Sequence, residues 1–240
     1  MSLDTRAVEY THGDKAFEGV LAFDSGREGK RPAVLVFHGW EGRSEAQLDF
    51  AKKLTDWGYA GFACDLYGKG LRGTTPDECR ALMTPLVADR ATLRDRILKT
   101  VETVRSLSEV DATRVAAIGF CFGGLCVLDL ARTGADVRGV ASFHGLLGRP
   151  DDLAETEIKA KVMVFHGWDD PMALPEDVVA LGRELTRCKA DWQVHAYGGT
   201  MHAFMAPFAN DPASGILYSE KASRRAWTSL APFLAEVFFS

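Results

Sequence analysis

No apolar run in the chain reaches the roughly 18 residues that suggest a membrane span. The first residues, Met1-Ser2-Leu3-Asp4-Thr5-Arg6, lack the apolar core of an export signal. Basic charge is not in excess either. Against 28 Lys and Arg stand 33 Asp and Glu, a net charge of -5 that offers no general attraction to phosphate backbones or anionic lipid. The cluster Arg224-Arg225 reads as a solvated helix face. Neither a nucleic-acid partner nor a membrane is therefore expected. Cysteine is scarce, with five residues at irregular spacing (64, 79, 121, 126 and 188). An odd count with no export signal predicts free thiols and a reducing, cytoplasmic setting. There is no CxxC pair, no helical HxxxH pair and no zinc-spaced set, so no metal is expected.

The 240 residues contain 47% hydrophobic and 25% charged side chains, ordinary for a soluble globular protein. With no repeat, low-complexity tract or linker, residues 1–240 read as a single domain. Apolar, β-rich runs alternate with helical periodicity, which predicts an α/β fold: a mostly parallel, doubly wound sheet with helices on both faces. Strands are predicted at 17–23 (in an antiparallel edge hairpin), 33–37, 59–64, 114–119, 137–143, 161–165 and 192–197. Helices are predicted from Ser44 to before Gly58, over 77–107 with a break near Pro85, and over 125–132, 176–188 and 219–239. The glycine-rich stretch from Asp65 to Pro76 reads as a long loop, of the kind that often binds ligands.

Chemistry concentrates where the strand ending at Gly119 meets the following helix. Gly119-Phe120-Cys121-Phe122-Gly123 has the G-x-C-x-G spacing of a nucleophile elbow, a sharp strand-to-helix turn that leaves its central residue strained and exposed. Small residues on either side relieve the crowding, and the helix N-terminus favours thiolate over thiol. Cys121 is the candidate nucleophile; the other four cysteines read as small buried apolar residues.

A thiol nucleophile needs a histidine to carry the proton and a carboxylate to orient that histidine. After an elbow these follow in chain order, acid then base, each on a loop beyond a later strand. Gly167-Trp168-Asp169-Asp170-Pro171 offers the acid, with Asp170 preferred and Asp169 the alternative. Tyr197-Gly198-Gly199-Thr200-Met201-His202 offers the base, His202. His38, His144, His166 and His195 lie in or at the ends of strands, where hydrogen-bonded structural roles are expected. Acyl transfer also needs N–H donors for the developing oxyanion. One is assigned to Phe122, the residue after the nucleophile, and the second to Trp40 in the loop His38-Gly39-Trp40-Glu41-Gly42. Glu41, Arg72 and Phe120 are the remaining candidates for a substrate pocket.

Together these segments, with Asp65-Leu66-Tyr67-Gly68 and Gly199-Thr200-Met201-His202-Ala203-Phe204, resemble the dienelactone hydrolase family of α/β-hydrolases. The resemblance runs from about Phe17 to the last helix. It implies an α/β-hydrolase fold, a Cys121-Asp170-His202 triad, and a monomeric, cofactor-free hydrolase of small esters and lactones, a dimer being the alternative assembly. Two positions depart from the family pattern. Members that cleave dienelactone carry a glutamate where this chain has Gly39, the nearest acid being Glu41. They also use an arginine, four residues after the histidine, where this chain has Ala206. The chemistry therefore carries over better than the named substrate. Two rival classes are a thiol-based redox or electrophile sensor and a non-catalytic ligand-binding protein; turnover of an ester separates both from the enzyme.

Overall fold

The first element pair follows from one glycine. Gly13 takes φ +56, which lets the two-residue turn Gly13-Asp14 join β1 (Leu3–His12) to β2 (Lys15–Asp24) as an antiparallel hairpin. The structure is a computed structural model describing residues 2–240, in two compact units that divide between Ala117 and Ile118.

In the first unit β2 pairs antiparallel with β4 (Ala60–Ala63), and β4 pairs in parallel with β3 (Arg31–Phe37), so the order is β1-β2-β4-β3. Every residue of β3 is buried, as its unbroken apolar run predicts. Helix α1 (Glu45–Thr55) starts from Ser44, which forms a reciprocal capping box with Gln47. A Cβ on Gly61 would come 2.2 Å from the Ala51 carbonyl oxygen, so only glycine lets α1 pack this closely on β4. The segment expected to break near Pro85 instead breaks at Asp89. Helix α2 (Pro76–Ala88) passes through Pro85, and α3 (Arg90–Arg105) begins with the Asp89 carboxylate accepting from Thr92 N–H at 3.0 Å. The Asp89 cap, four residues beyond the proline, fixes where α3 begins. Strand β5 (Val110–Phe120) begins earlier than predicted, because its first turn-side residues are partly exposed and carry no apolar run.

In the second unit the end of β5 leads directly into α4 (Phe122–Arg132), all of whose residues are buried. Strands β6 (Gly139–Phe143), β7 (Lys161–Gly167) and β8 (Trp192–Tyr197) follow, paired in parallel in that order. Phe120 stacks on Phe143 at 4.9 Å and Phe143 on Phe165 at 4.5 Å, tying together the C-terminal ends of β5, β6 and β7. Such pairs contribute about 0.5–1.5 kcal/mol each beyond their buried area. Helix α5 (Pro175–Arg187) joins β7 to β8, and α6 (Glu220–Phe239) closes the chain after its Ser219 cap. A ribbon of two-residue strands, β9 (Asn210–Asp211) and β10 (Ile216–Leu217), is too short to leave a periodic signal. All five cysteines are free thiols, four of them buried and Cys121 half-buried. Among the described residues no helix is long and apolar enough to cross a membrane, and no group of His, Cys, Asp and Glu is placed to hold a metal.

Candidate active site

Cys121 stands between β5 and α4 with φ +54 and ψ -114, a backbone that non-glycine residues rarely adopt. Its glycines have separate reasons. A Cβ on Gly119 would come 2.0 Å from the Gly123 carbonyl oxygen, and one on Gly124 would come 2.6 Å from the Gly145 Cα. The first contact allows the turn to close; the second lets α4 sit against the end of β6. Cys121 N–H donates to the Phe143 carbonyl at 3.0 Å, and its own carbonyl accepts from Gly124 N–H at 2.9 Å, opening the helix.

Asp170 and His202 come from the loops after β7 and β8. Asp170 is buried; its Oδ1 accepts from Met172 N–H at 2.8 Å and its Oδ2 from His202 Nδ1–H at 2.7 Å. Its neighbour Asp169 is exposed, and its backbone N–H donates to the Thr200 carbonyl. Of the two carboxylates, Asp170 is the one that meets the histidine. The two loops are fastened to each other at several points. Trp168 N–H donates to the Tyr197 carbonyl, a Cβ on Gly167 would strike the Thr200 carbonyl at 2.6 Å, and one on Gly215 would strike Pro171 at 2.3 Å. The small ribbon holds the histidine from the other side, with His202 N–H donating to the Gly215 carbonyl at 2.9 Å and Leu217 N–H to the His202 carbonyl at 3.1 Å.

Burial opposes charge on His202, yet the Asp170 hydrogen bond and the neighbouring Cys121 sulfur outweigh it and push the imidazole up to about 10. Nε2 is buried and makes no well-formed hydrogen bond; the group acting on it is the thiol, whose ionised form favours imidazolium. The arrangement sets a histidine that is held toward its charged form beside a thiol.

The other strand-end histidines divide. His38 has the structural role expected of it: Nδ1 donates to the Gly39 carbonyl at 2.7 Å and Nε2 accepts from Leu66 N–H at 3.2 Å. His144 and His166 do not, because both are buried and neither ring nitrogen of either has a protein hydrogen-bond partner. The expectation of bonded structural histidines fails for these two, since a sequence shows that a residue ends a strand but not what lies opposite its ring. His144 instead packs edge-to-face on His202, with ring centres 5.1 Å apart.

The loop after β3 belongs to the first unit. Asp65 organises it, accepting from Tyr67 N–H, Gly68 N–H and Glu18 N–H, while the Tyr67 hydroxyl donates to the Trp40 carbonyl at 2.9 Å. Asp65-Leu66-Tyr67-Gly68 is thus a clamp on the Trp40 segment. The Glu41 carboxylate folds back over Gly39, so that a Cβ at position 39 would lie 2.6 Å from its Oε2. Arg72 is exposed, and Phe120, considered for the pocket, is buried in the aromatic stack. Phe122, at the start of α4, is fully buried.

A match to the dienelactone hydrolase family extends over residues 17–238. The chain belongs to that family. A solved dienelactone hydrolase-like promiscuous phosphotriesterase from metagenomic libraries is 34% identical, with a TM-score of 0.93 over 99% of this chain and 100% of that one. An Aquifex aeolicus protein named "Putative carboxymethylenebutenolidase" is 32% identical over 202 residues, 82% of this chain and 84% of the relative. An alpha/beta hydrolase enzyme from a deep-sea metagenome shares the fold, at 17% identity and a TM-score of 0.66 over 97% of this chain and 98% of that one. The dienelactone hydrolase family member described here has the α/β-hydrolase fold and is a hydrolase of esters or lactones.

Proposed function

We propose that this dienelactone hydrolase family member cleaves small activated esters and lactones through a thioester on Cys121. The observation that carries the reading is the buried 2.7 Å Asp170–His202 bond beside the thiol, with His202 pushed up to about 10. The Cys121 thiolate attacks the acyl carbon, and Phe122 N–H holds the developing oxyanion. Trp40, on its position after β3, is the proposed second donor; removing one such donor costs about 3–4 kcal/mol. The C–O bond breaks, His202 gives its proton to the leaving alkoxide, and the acyl group remains on sulfur. Water then attacks the thioester, with His202 as the base. Because a thiolate is itself a good leaving group, enol esters and lactones suit Cys121 better than amides do.

Free thiols suit a reducing cytoplasm, and the family likeness suits a monomer working without a cofactor. Cys121→Ala is expected to lose at least about 1000-fold in turnover of a short-chain nitrophenyl ester, as removing a nucleophile does elsewhere. Full activity in that variant refutes Cys121 as the nucleophile. The name of the 34% identical relative supports a second substrate, a phosphotriester: the same thiolate would bond to phosphorus as one P–O bond breaks and the departing oxygen takes its proton from His202.

A further inference from the structure

Four non-glycine residues among those described have positive φ. Cys121 is one, at +54, and Ala203, next to His202, is another, at +57. A third is His144, at +38, which ends β6 between the strands that bear the nucleophile and the acid. Backbone strain of this kind concentrates where a side chain must be aimed. The aim here is at the base. The His144 ring lies 5.1 Å from that of His202 at an interplanar angle of 69°, and its backbone is pinned by His144 N–H donating to the Phe165 carbonyl at 2.9 Å.

Two phenylalanine rings flank it as well. Phe204 stands 5.3 Å away and Phe120 6.1 Å, and the side chain is only 3% exposed. Neither ring nitrogen makes a well-formed hydrogen bond to another residue. Burial and the neighbouring His202 hold His144 well below the ordinary histidine range, so the ring is neutral and presents one N–H and one lone pair. A water inside a protein is held by two to four polar groups, and a hydrolytic water facing His202 Nε2 needs a second one. The His144 ring, in edge-to-face contact with His202, is the neighbour placed to supply that second group from beside the pair of rings.

We propose that His144 is a catalytic residue of the second half-reaction, holding with His202 the water that hydrolyses the Cys121 thioester. The inference rests on the thioester mechanism proposed above. The water oxygen bonds to the acyl carbon as one of its protons passes to His202 Nε2. The C–S bond breaks with its electron pair on sulfur, leaving the acid product and the thiolate beside imidazolium. His144 keeps its own proton and orients the attacking lone pair. Acylation uses no water and does not depend on it.

The two half-reactions separate in a stopped-flow experiment with 4-nitrophenyl acetate. His144→Phe keeps a flat ring against His202 and removes both polar atoms. It is expected to release nitrophenolate in a burst of about one per enzyme at the wild-type rate, then turn over about 100-fold more slowly, the scale of loss from a misplaced reactant. His144→Gln, which restores a donor and an acceptor, is expected to recover most of the steady rate. Hydroxylamine, a nucleophile strong enough to attack a thioester without a base, is expected to rescue His144→Phe. If that variant does not fold, His144→Leu carries the same expectations. Equal loss of burst rate and steady rate, or no change in either, overturns the role of His144. Mass spectrometry tests the thioester itself: turnover with no acyl adduct on Cys121 sinks the underlying mechanism. An adduct that hydrolyses at the wild-type rate in His144→Phe sinks only His144.

Discussion

Phe37-His38-Gly39 ends β3 in the first unit, and Phe143-His144-Gly145 ends β6 in the second. The tripeptides are identical, and Phe165-His166-Gly167 at the end of β7 is a third copy; all three histidines are buried, and burial holds each below the ordinary histidine range. Their surroundings separate them. His38 bridges Gly39 and Leu66 of its own unit, so its ring ties the loop after β3 to the loop after β4. His144 makes no well-formed bond to another residue and packs on the His202 imidazole. A buried imidazole whose nitrogens are spoken for is architecture; one whose nitrogens are open, beside a base, is placed for chemistry.

His202 extends the contrast, being the histidine with a carboxylate partner, and its carboxylate is where the largest effect is expected. Asp170→Asn can still accept from Met172 N–H through its amide oxygen. Its NH2 would face Nδ1, however, and drive the proton to Nε2, the wrong tautomer for a base. We expect kcat/KM to fall about 1000- to 10,000-fold with little change in Tm, a loss like that of other triads whose acid becomes an amide. A fall under tenfold would mean that the bond to Asp170 does not distinguish His202 from its neighbours.

The next effect sharpens the difference between the two tripeptides. His38→Phe leaves Leu66 N–H, which is buried, without its acceptor and the Gly39 carbonyl without its strongest donor. The expected cost is about 2–4 kcal/mol, lowering Tm by about 5–15 °C in thermal melts. His144→Phe, which removes only unpartnered atoms, is expected to melt within about 3 °C of wild type, or above it. Equal losses in the two variants would erase the distinction.

The smallest expected effect is on pH dependence. His38, His144 and His166 are all held below the usual value by burial, so each binds a proton more readily in the unfolded chain. Above the unfolded value, near 6.5, neither state is protonated and these groups add no slope. As pH falls through that value the unfolded state gains protons that the native state refuses, and stability declines by up to about 1.4 kcal/mol per pH unit for each histidine. Chemical denaturation from pH 8 to pH 5 measures the decline, and His144→Phe is expected to flatten it by one histidine's share. A stability profile flat to pH 5 would contradict the neutral state of these rings.

Much of the site is legible in the chain alone. Gly119, two residues before Cys121, answers a steric demand only four residues away, at Gly123, which is why the elbow can be read as a motif; Gly124 answers to Gly145, beyond β6. The capping boxes at Ser44 and Thr75 are equally local. A visible helix breaker points to a break near Pro85, whereas the Asp89 carboxylate and Thr92 N–H set it four residues later. The ribbon that grips His202 escaped because two-residue strands have no period, and Gly215 matters through Pro171, far back along the chain.

The sequence by itself determined the chain order Cys121, Asp170, His202, the order proposed for nucleophile, acid and base, and the alternation of strands and helices. Those depend on spacing, on hydrophobic period and on which residues tolerate a tight turn. Only the tertiary structure decided that Asp170 rather than Asp169 turns inward, and which Phe-His-Gly finds partners for its ring. The reason is physical: a hydrogen bond needs a partner within about 3 Å, and for a strand-end side chain that partner can come from a neighbouring loop tens of residues away.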